Sequence, residues 1–216
     1  MASVYLDSGD PEDVRVALES GLVHGVTTNP TLLRRVTDDP LRHCSELLSK
    51  MDGLAVFYQP TGAYGDPEAE AWAAWRLDPA RVTLKLMSTP AGVALARRLV
   101  DGGARVALTA AQSPTAMIVA EAIGCVAVIP YVDRAWRDPR TETHLVRSLA
   151  ELRRGDTRII AASVKNPGQF VQAYRDGADA VTAPLDVLRT VLQDPAAREA
   201  EDAFGAEYAG TVLPLP

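Results

Sequence analysis

The chain has 216 residues, 47% of them hydrophobic, 23% charged and 6% aromatic, a globular balance with enough apolar mass for a large core. Its net charge of −6 and pI near 5.1 exclude a general basic field for nucleic acid or anionic lipid, while leaving room for a local phosphate pocket. No apolar run approaches the roughly 20 residues that span a bilayer, and Met1 to Asp7 lacks the regions of a signal peptide, so no membrane association and a cytoplasmic location are expected.

In chain order, the first short apolar run is Val4 to Asp7, followed by Asp10-Pro11, a capping side chain and a proline suited to the first turn of a helix. The second run is Gly25 to Thr28, the third Leu54 to Gln59 and the fourth Val82 to Leu86, with Asp66-Pro67 and Thr89-Pro90 opening helices after the last two. Arg105 to Ala110 precedes Ser113-Pro114, Cys125 to Tyr131 is the sixth run, and Arg158 to Ser163 precedes Asn166-Pro167. Ala180 to Ala183 is the eighth, followed at once by Pro184. Gly21, Gly124 and Gly177 fall where helices should end, and a last amphipathic helix is expected over about 196–209, before a loose segment from Thr211 to Pro216.

Strands alternating with helices predict parallel pairing through right-handed crossovers. An open doubly wound sheet and a closed barrel both fit the alternation. The count of eight and the even spacing favour a single-domain (β/α)8 barrel spanning 1–216, and the first turn, Leu6 to Pro11, lacks the G-x-G-x-x-G of dinucleotide binding. In such a barrel, functional groups gather where strands end. Asp7 ends the first run; Thr27 and Asn29 lie at the end of the second; Gln59 ends the third, Lys85 lies within the fourth and Thr109 near the end of the fifth. Tyr131 and Arg134 follow the sixth, and Ser163 and Lys165 the seventh. Any one of these is an ordinary turn residue, but together they converge on one face.

Lys85 carries the most chemistry. Val82-Thr83-Leu84-Lys85-Leu86-Met87 surrounds an amine with apolar side chains, in a chain that has 3 lysines and 19 arginines. Burial disfavours the ammonium, and a neutral amine can attack a carbonyl to form an imine, an electron sink for carbon–carbon cleavage. The competing reading is a lysine that snorkels or pairs with a carboxylate such as Asp7. Asp7 and Tyr131 are candidates for proton transfer, and Arg134, Ser163 and Lys165 for a phosphate clamp. The histidines, His24, His43 and His144, show no ligand spacing, so neither a metal nor another cofactor is expected. Cys44 and Cys125 read as buried thiols.

These strings resemble the transaldolases, and among them the small fructose-6-phosphate aldolase type. Y-L-D at Tyr5 to Asp7, G-V-T-T-N-P at Gly25 to Pro30, T-L-K-L at Thr83 to Leu86, P-Y-V-D-R at Pro130 to Arg134 and A-A-S-V-K-N-P at Ala161 to Pro167 are similar to that family in order and spacing. The resemblance implies Lys85 as imine nucleophile and Asp7 as proton-transfer group. It also implies that Thr27, Asn29 and Thr109 hold substrate hydroxyls or a water, and that Arg134, Ser163 and Lys165 take a sugar phosphate. Gln59 and Tyr131 stand where transaldolases have glutamate and phenylalanine, as in the fructose-6-phosphate aldolase branch. Met87, Ala107 and Ile129 depart from the family pattern, and Ile129 is expected to crowd the donor end of the substrate pocket. A homo-oligomer, from dimer to decamer, is also implied. An enzyme recruited to an unusual sugar and a non-catalytic barrel that binds a phosphorylated metabolite remain the alternative functions.

Overall fold

Each apolar run is buried on both sides because alternate side chains along it face two different cores. The computed structural model describes residues 2–138, 140–207 and 209. Its strands are β1 (Ser3–Asp7), β2 (Gly25–Thr27), β3 (Ala55–Tyr58), β4 (Val82–Met87), β5 (Val106–Ala111), β6 (Ala127–Pro130), β7 (Arg158–Ala161) and β8 (Ala180–Ala183). All pair in parallel and in sequence order, and β1 pairs with β8 to close the barrel. The eight strands are those expected, so the chain is a (β/α)8 barrel with an added C-terminal helix.

The intervening helices are α1 (Pro11–Glu19), α2 (Pro30–Arg34), α3 (Pro40–Lys50), α4 (Pro67–Leu77), α5 (Pro90–Asp101), α6 (Thr115–Ile123), α7 (Val132–Arg137), α8 (Leu145–Leu152), α9 (Pro167–Arg175), α10 (Leu185–Val191) and α11 (Pro195–Glu207). Asp10, Asp66, Thr89 and Asn166 cap α1, α4, α5 and α9 through their side chains, with proline next in each case. Asn29 and Asp39 cap α2 and α3 in the same way, so two helices rather than one connect β2 to β3. After Ser113-Pro114 and Ala183-Pro184 the helices begin only at Thr115 and Leu185, without a side-chain cap. Helix α11 covers Pro195–Glu207, and Tyr208 and the expected loose segment Thr211 to Pro216 lie outside the described residues.

Leu6, Val26, Val56, Leu84, Leu108, Val128, Ile159 and Val181 face outward and pack with helix residues such as Leu33, Leu47, Leu99, Met117 and Leu149. Each such side chain fully withdrawn from water contributes about 1.5–3 kcal/mol. The opposite set, including Tyr5, Phe57, Ala107, Ala127, Ile129, Ile160 and Ala180, fills the barrel interior. At its lower end Arg158 donates to Ser3 Oγ at 3.1 Å and to the Tyr5 hydroxyl at 3.3 Å. Gly25 permits the tight β2–β3 pairing, since a Cβ there would lie 2.2 Å from the Ala55 carbonyl oxygen. Both cysteines are buried thiols whose pKa burial pushes up to about 12. Among the described residues no helix is long and apolar enough to cross a membrane.

Candidate active site

The carboxyl ends of the strands surround a cavity of about 600 Å³. Asp7, Asn29, Gln59, Lys85, Tyr131, Arg134, Ser163 and Lys165 all line it, which brings together eight of the eleven residues singled out in the sequence. Thr27, Thr109 and Ile129 are not on its wall. Thr109 and Ile129 are register partners on β5 and β6, both fully buried, and Ile129 belongs to the interior cluster beneath the half-buried Tyr131. This placement does not bring Ile129 into contact with the mouth, where crowding of a substrate was expected.

Lys85 is 3% exposed, and its Nζ donates to the Thr28 carbonyl oxygen at 2.7 Å. Burial pushes its pKa below the ordinary 10.5, and the nearby charge of Asp7 only partly opposes that shift. The amine is therefore held by a neutral acceptor rather than by an ion pair, and its lone pair is not committed to a protein donor. Asp7 is instead engaged by Thr27, whose hydroxyl donates to Asp7 Oδ1 at 2.7 Å. Thr27 has a single proton, so the 2.7 Å contact between its oxygen and Thr182 is donated by Thr182. The result is a directed chain, Thr182 to Thr27 to Asp7, that orients the carboxylate. Thr27 thus supports Asp7 from below.

Gln59 Oε1 and Thr109 Oγ1 are buried without a protein hydrogen-bond partner among the described residues. A buried polar atom left so costs about 1–3 kcal/mol in folding, so both are open to a partner that the protein itself does not supply. The loop that follows Gln59 is pinned by the buried carboxylate of Glu70, which accepts from the Tyr58 hydroxyl (2.7 Å), Thr61 N (2.7 Å) and Gly62 N (2.8 Å). Asn29 spends Oδ1 on the Leu32 N–H as the α2 cap, leaving its amide N–H groups for the cavity it lines.

Across β6 and β7, the Arg134 guanidinium stacks over Tyr131 with Cζ 5.1 Å from the ring centroid. Arg134, Ser163 and Lys165 also border an adjoining hollow of about 590 Å³ with Arg137 and Asp138. The backbone is strained here. Ser163 has φ +61° and Ala110, in the bulge after Thr109, has φ +55°, a conformation that costs a non-glycine residue about 1–2 kcal/mol.

Sequence reading missed Arg35 and Thr182. Arg35 is exposed at the end of the short α2, lines the cavity and makes no ion pair among the described residues, whereas its neighbour Arg34 pairs with Asp38. It stands after β2, half a barrel away from Arg134 after β6. Thr182 was legible only as an inward position of β8, two residues after Ala180. Of the histidines, His43 is buried with Nε2 2.7 Å from the Gly9 carbonyl oxygen, and His24 Nδ1 accepts from Val4 N at 3.2 Å at the lower end of β1.

A closed (β/α)8 barrel with a desolvated amine at the carboxyl ends of its strands has the layout of a (β/α)8 enzyme. The family model described as Transaldolase/Fructose-6-phosphate aldolase matches residues 67–211. A probable transaldolase of Symbiobacterium thermophilum is 31% identical over 195 residues, covering 89% of this chain and 90% of the relative. A probable transaldolase of Thermodesulfovibrio yellowstonii is 28% identical over 194 residues, 88% of this chain and 90% of its own length. One from Carboxydothermus hydrogenoformans is 27% identical over 208 residues, 95% and 97% of the two chains. The chain belongs to the transaldolase/fructose-6-phosphate aldolase family and is an enzyme of that family.

Proposed function

We propose that this enzyme makes and breaks carbon–carbon bonds in ketose phosphates through an imine on Lys85. The observation that carries this reading is the Lys85 amine: buried, its pKa lowered by that burial, held by a carbonyl oxygen and facing the polar mouth. The neutral amine attacks the ketose carbonyl, water leaves, and the iminium accepts the electron pair of the C3–C4 bond as that bond breaks. Asp7, aligned by Thr27, takes the proton of the C4 hydroxyl, and an aldose phosphate departs as the aldehyde. The enamine left on Lys85 then adds to a second aldehyde, or is protonated and released by water. In this reading Tyr131, on the cavity wall, supplies that proton, Gln59 Oε1 holds a hydroxyl, and Thr109 Oγ1, buried behind the wall, holds a water. Arg134, Ser163 and Lys165 take the phosphate, and the amide of Asn29 a sugar hydroxyl.

Incubation with fructose 6-phosphate followed by borohydride reduction is expected to leave a covalent adduct on the peptide that contains Lys85, read by mass spectrometry. An adduct on Lys50 or Lys165, or none with this or any other ketose phosphate, overturns the reading, whereas an adduct on Lys85 with another ketose alone returns the enzyme recruited to an unusual sugar.

The strained serine gives a second test. Ser163→Gly removes about 1–2 kcal/mol of left-handed strain and gives back about 0.4–1 kcal/mol through the unfolded chain. The variant is expected to melt a few degrees higher, at roughly 2–4 °C per kcal/mol, and to bind the phosphorylated substrate less well. A variant that loses stability shows that the backbone at Ser163 is held by more than its own conformation.

A further inference from the structure

The two halves of the cation cluster come from different elements, Arg134 from α7 and Ser163 and Lys165 from the loop between β7 and α9. Among the described residues no hydrogen bond joins the Arg134 side chain to Ser163 or Lys165, and Ser163 sits in a strained conformation. Backbone pairing joins the segments at their base, where Val132 N donates to the Ala162 carbonyl oxygen at 3.0 Å, and beyond it a buried side-chain pair beside the site links α7 to the loop. Gln169, 5% exposed on α9, donates from Nε2 to Asp133 Oδ1 at 3.0 Å and accepts from the Lys165 backbone N–H at Oε1, 2.7 Å away. Its own N–H is fixed by the Asn166 cap at 2.9 Å. Asp133, 8% exposed, directly precedes Arg134, and its second oxygen receives Arg137. Burial alone would raise the Asp133 pKa, but the Gln169 amide and Arg137 hold it below the ordinary carboxylate value, so it stays an acceptor.

We propose that Gln169 and Asp133 are positioning residues that lock α7 to the β7–α9 loop, so that Arg134, Ser163 and Lys165 present one preformed site to the substrate phosphate. Neither residue touches the substrate, and both lie outside the cavity wall. The inference rests on the phosphate role proposed above for the three cavity residues. Strained positions persist where the surroundings over-determine them, and the Gln169–Lys165 bond supplies that constraint two residues from Ser163. A displacement near 1 Å in such a clamp is enough to cost up to about a hundredfold in substrate selection.

The polarity of the pair makes the test specific. Asp133→Asn retains a carbonyl oxygen for Gln169 and loses only the pairing with the largely exposed Arg137, so it is expected to behave nearly as wild type. Gln169→Glu keeps the acceptor for Lys165 N–H but sets two carboxylates against each other. It is expected to lower the ratio of kcat/KM for fructose 6-phosphate over that for fructose about tenfold. The double variant D133N/Q169E restores the 133–169 hydrogen bond with donor and acceptor exchanged and keeps the bond from Lys165 N–H unchanged, and the ratio is expected to return to within about threefold of wild type. Circular dichroism establishes that each variant is folded, and Gln169→Leu, which cannot repel, replaces Gln169→Glu if the latter does not fold. The proposal is overturned if a folded double variant is no better than Gln169→Glu, or if the single variant lowers both substrates alike. Arg134→Ala is measured beside them: if it too leaves the ratio unmoved, the phosphate role of the cluster has failed rather than the positioning of it.

Discussion

Exchange of Lys85 for methionine is expected to lower kcat by roughly four orders of magnitude or more, and to abolish the borohydride adduct, while the barrel remains folded. The nucleophile of a covalent mechanism is not replaced by its neighbours, since no other lysine lies on the cavity wall except the exposed Lys165 at its rim. Stability is expected to change little at neutral pH. Methionine fits the volume and ends the cost of burying an ionisable amine, but it leaves the Thr28 carbonyl oxygen without its donor, a loss of about 1–3 kcal/mol. The two terms oppose each other.

Their pH dependence has a definite sign. Lys85 has a depressed pKa in the folded state and the ordinary 10.5 when unfolded, so the unfolded chain binds more protons between those two values. Wild type therefore gains stability as pH rises through that window toward 10.5, and the methionine variant does not. Thermal melts of both proteins from neutral to alkaline pH are expected to show wild type improving relative to the variant. A difference that is flat with pH would mean that the amine is charged in the fold, and the case for a ready nucleophile would be lost.

How the fold could be read from the sequence follows from the two cores. Strands buried on both faces give runs such as Ala127 to Pro130 without polar interruption, and the Asp-Pro, Thr-Pro and Asn-Pro pairs mark helix starts because their side chains do cap. Asn29-Pro30 follows the same rule, and Asn29 is both a cap and part of the cavity wall. The site was legible to the extent that strand ends converge. Alternation along one strand says that Ile129 and Thr109 point inward, but not how deep in the barrel they lie. That depth depends on the stagger between strands, and here it leaves them off the cavity wall, with Tyr131 on the wall. Arg35, Thr182 and Gln169 were hidden for a related reason. Their importance lies in partners or a cavity supplied by distant elements, as with Gln169 and Asp133, 36 positions apart.

Loss of the Arg134 guanidinium is expected to raise KM for a phosphorylated substrate about ten- to a hundredfold relative to its unphosphorylated analogue, the worth of a charge-assisted hydrogen bond of roughly 1.5–3 kcal/mol. Arg134→Ala also removes the cation stacked on Tyr131, so part of its effect reaches a residue proposed to move a proton. The two contributions separate in the kinetics. Phosphate binding acts on KM for the phosphorylated substrate alone, whereas a displaced Tyr131 lowers kcat for both substrates. Arg134→Lys keeps the charge but not the planar fork, and is expected to fall between wild type and alanine. Raising the salt from low ionic strength should shrink the difference between Arg134→Ala and wild type, because the guanidinium is exposed and its field is screened over about 10 Å at 0.1 M. Equal losses on both substrates would place the phosphate away from β6 and β7. The cavity then offers Arg35 across the mouth as its remaining exposed guanidinium, and Arg35→Ala should show the phosphate-selective rise in KM that Arg134→Ala did not.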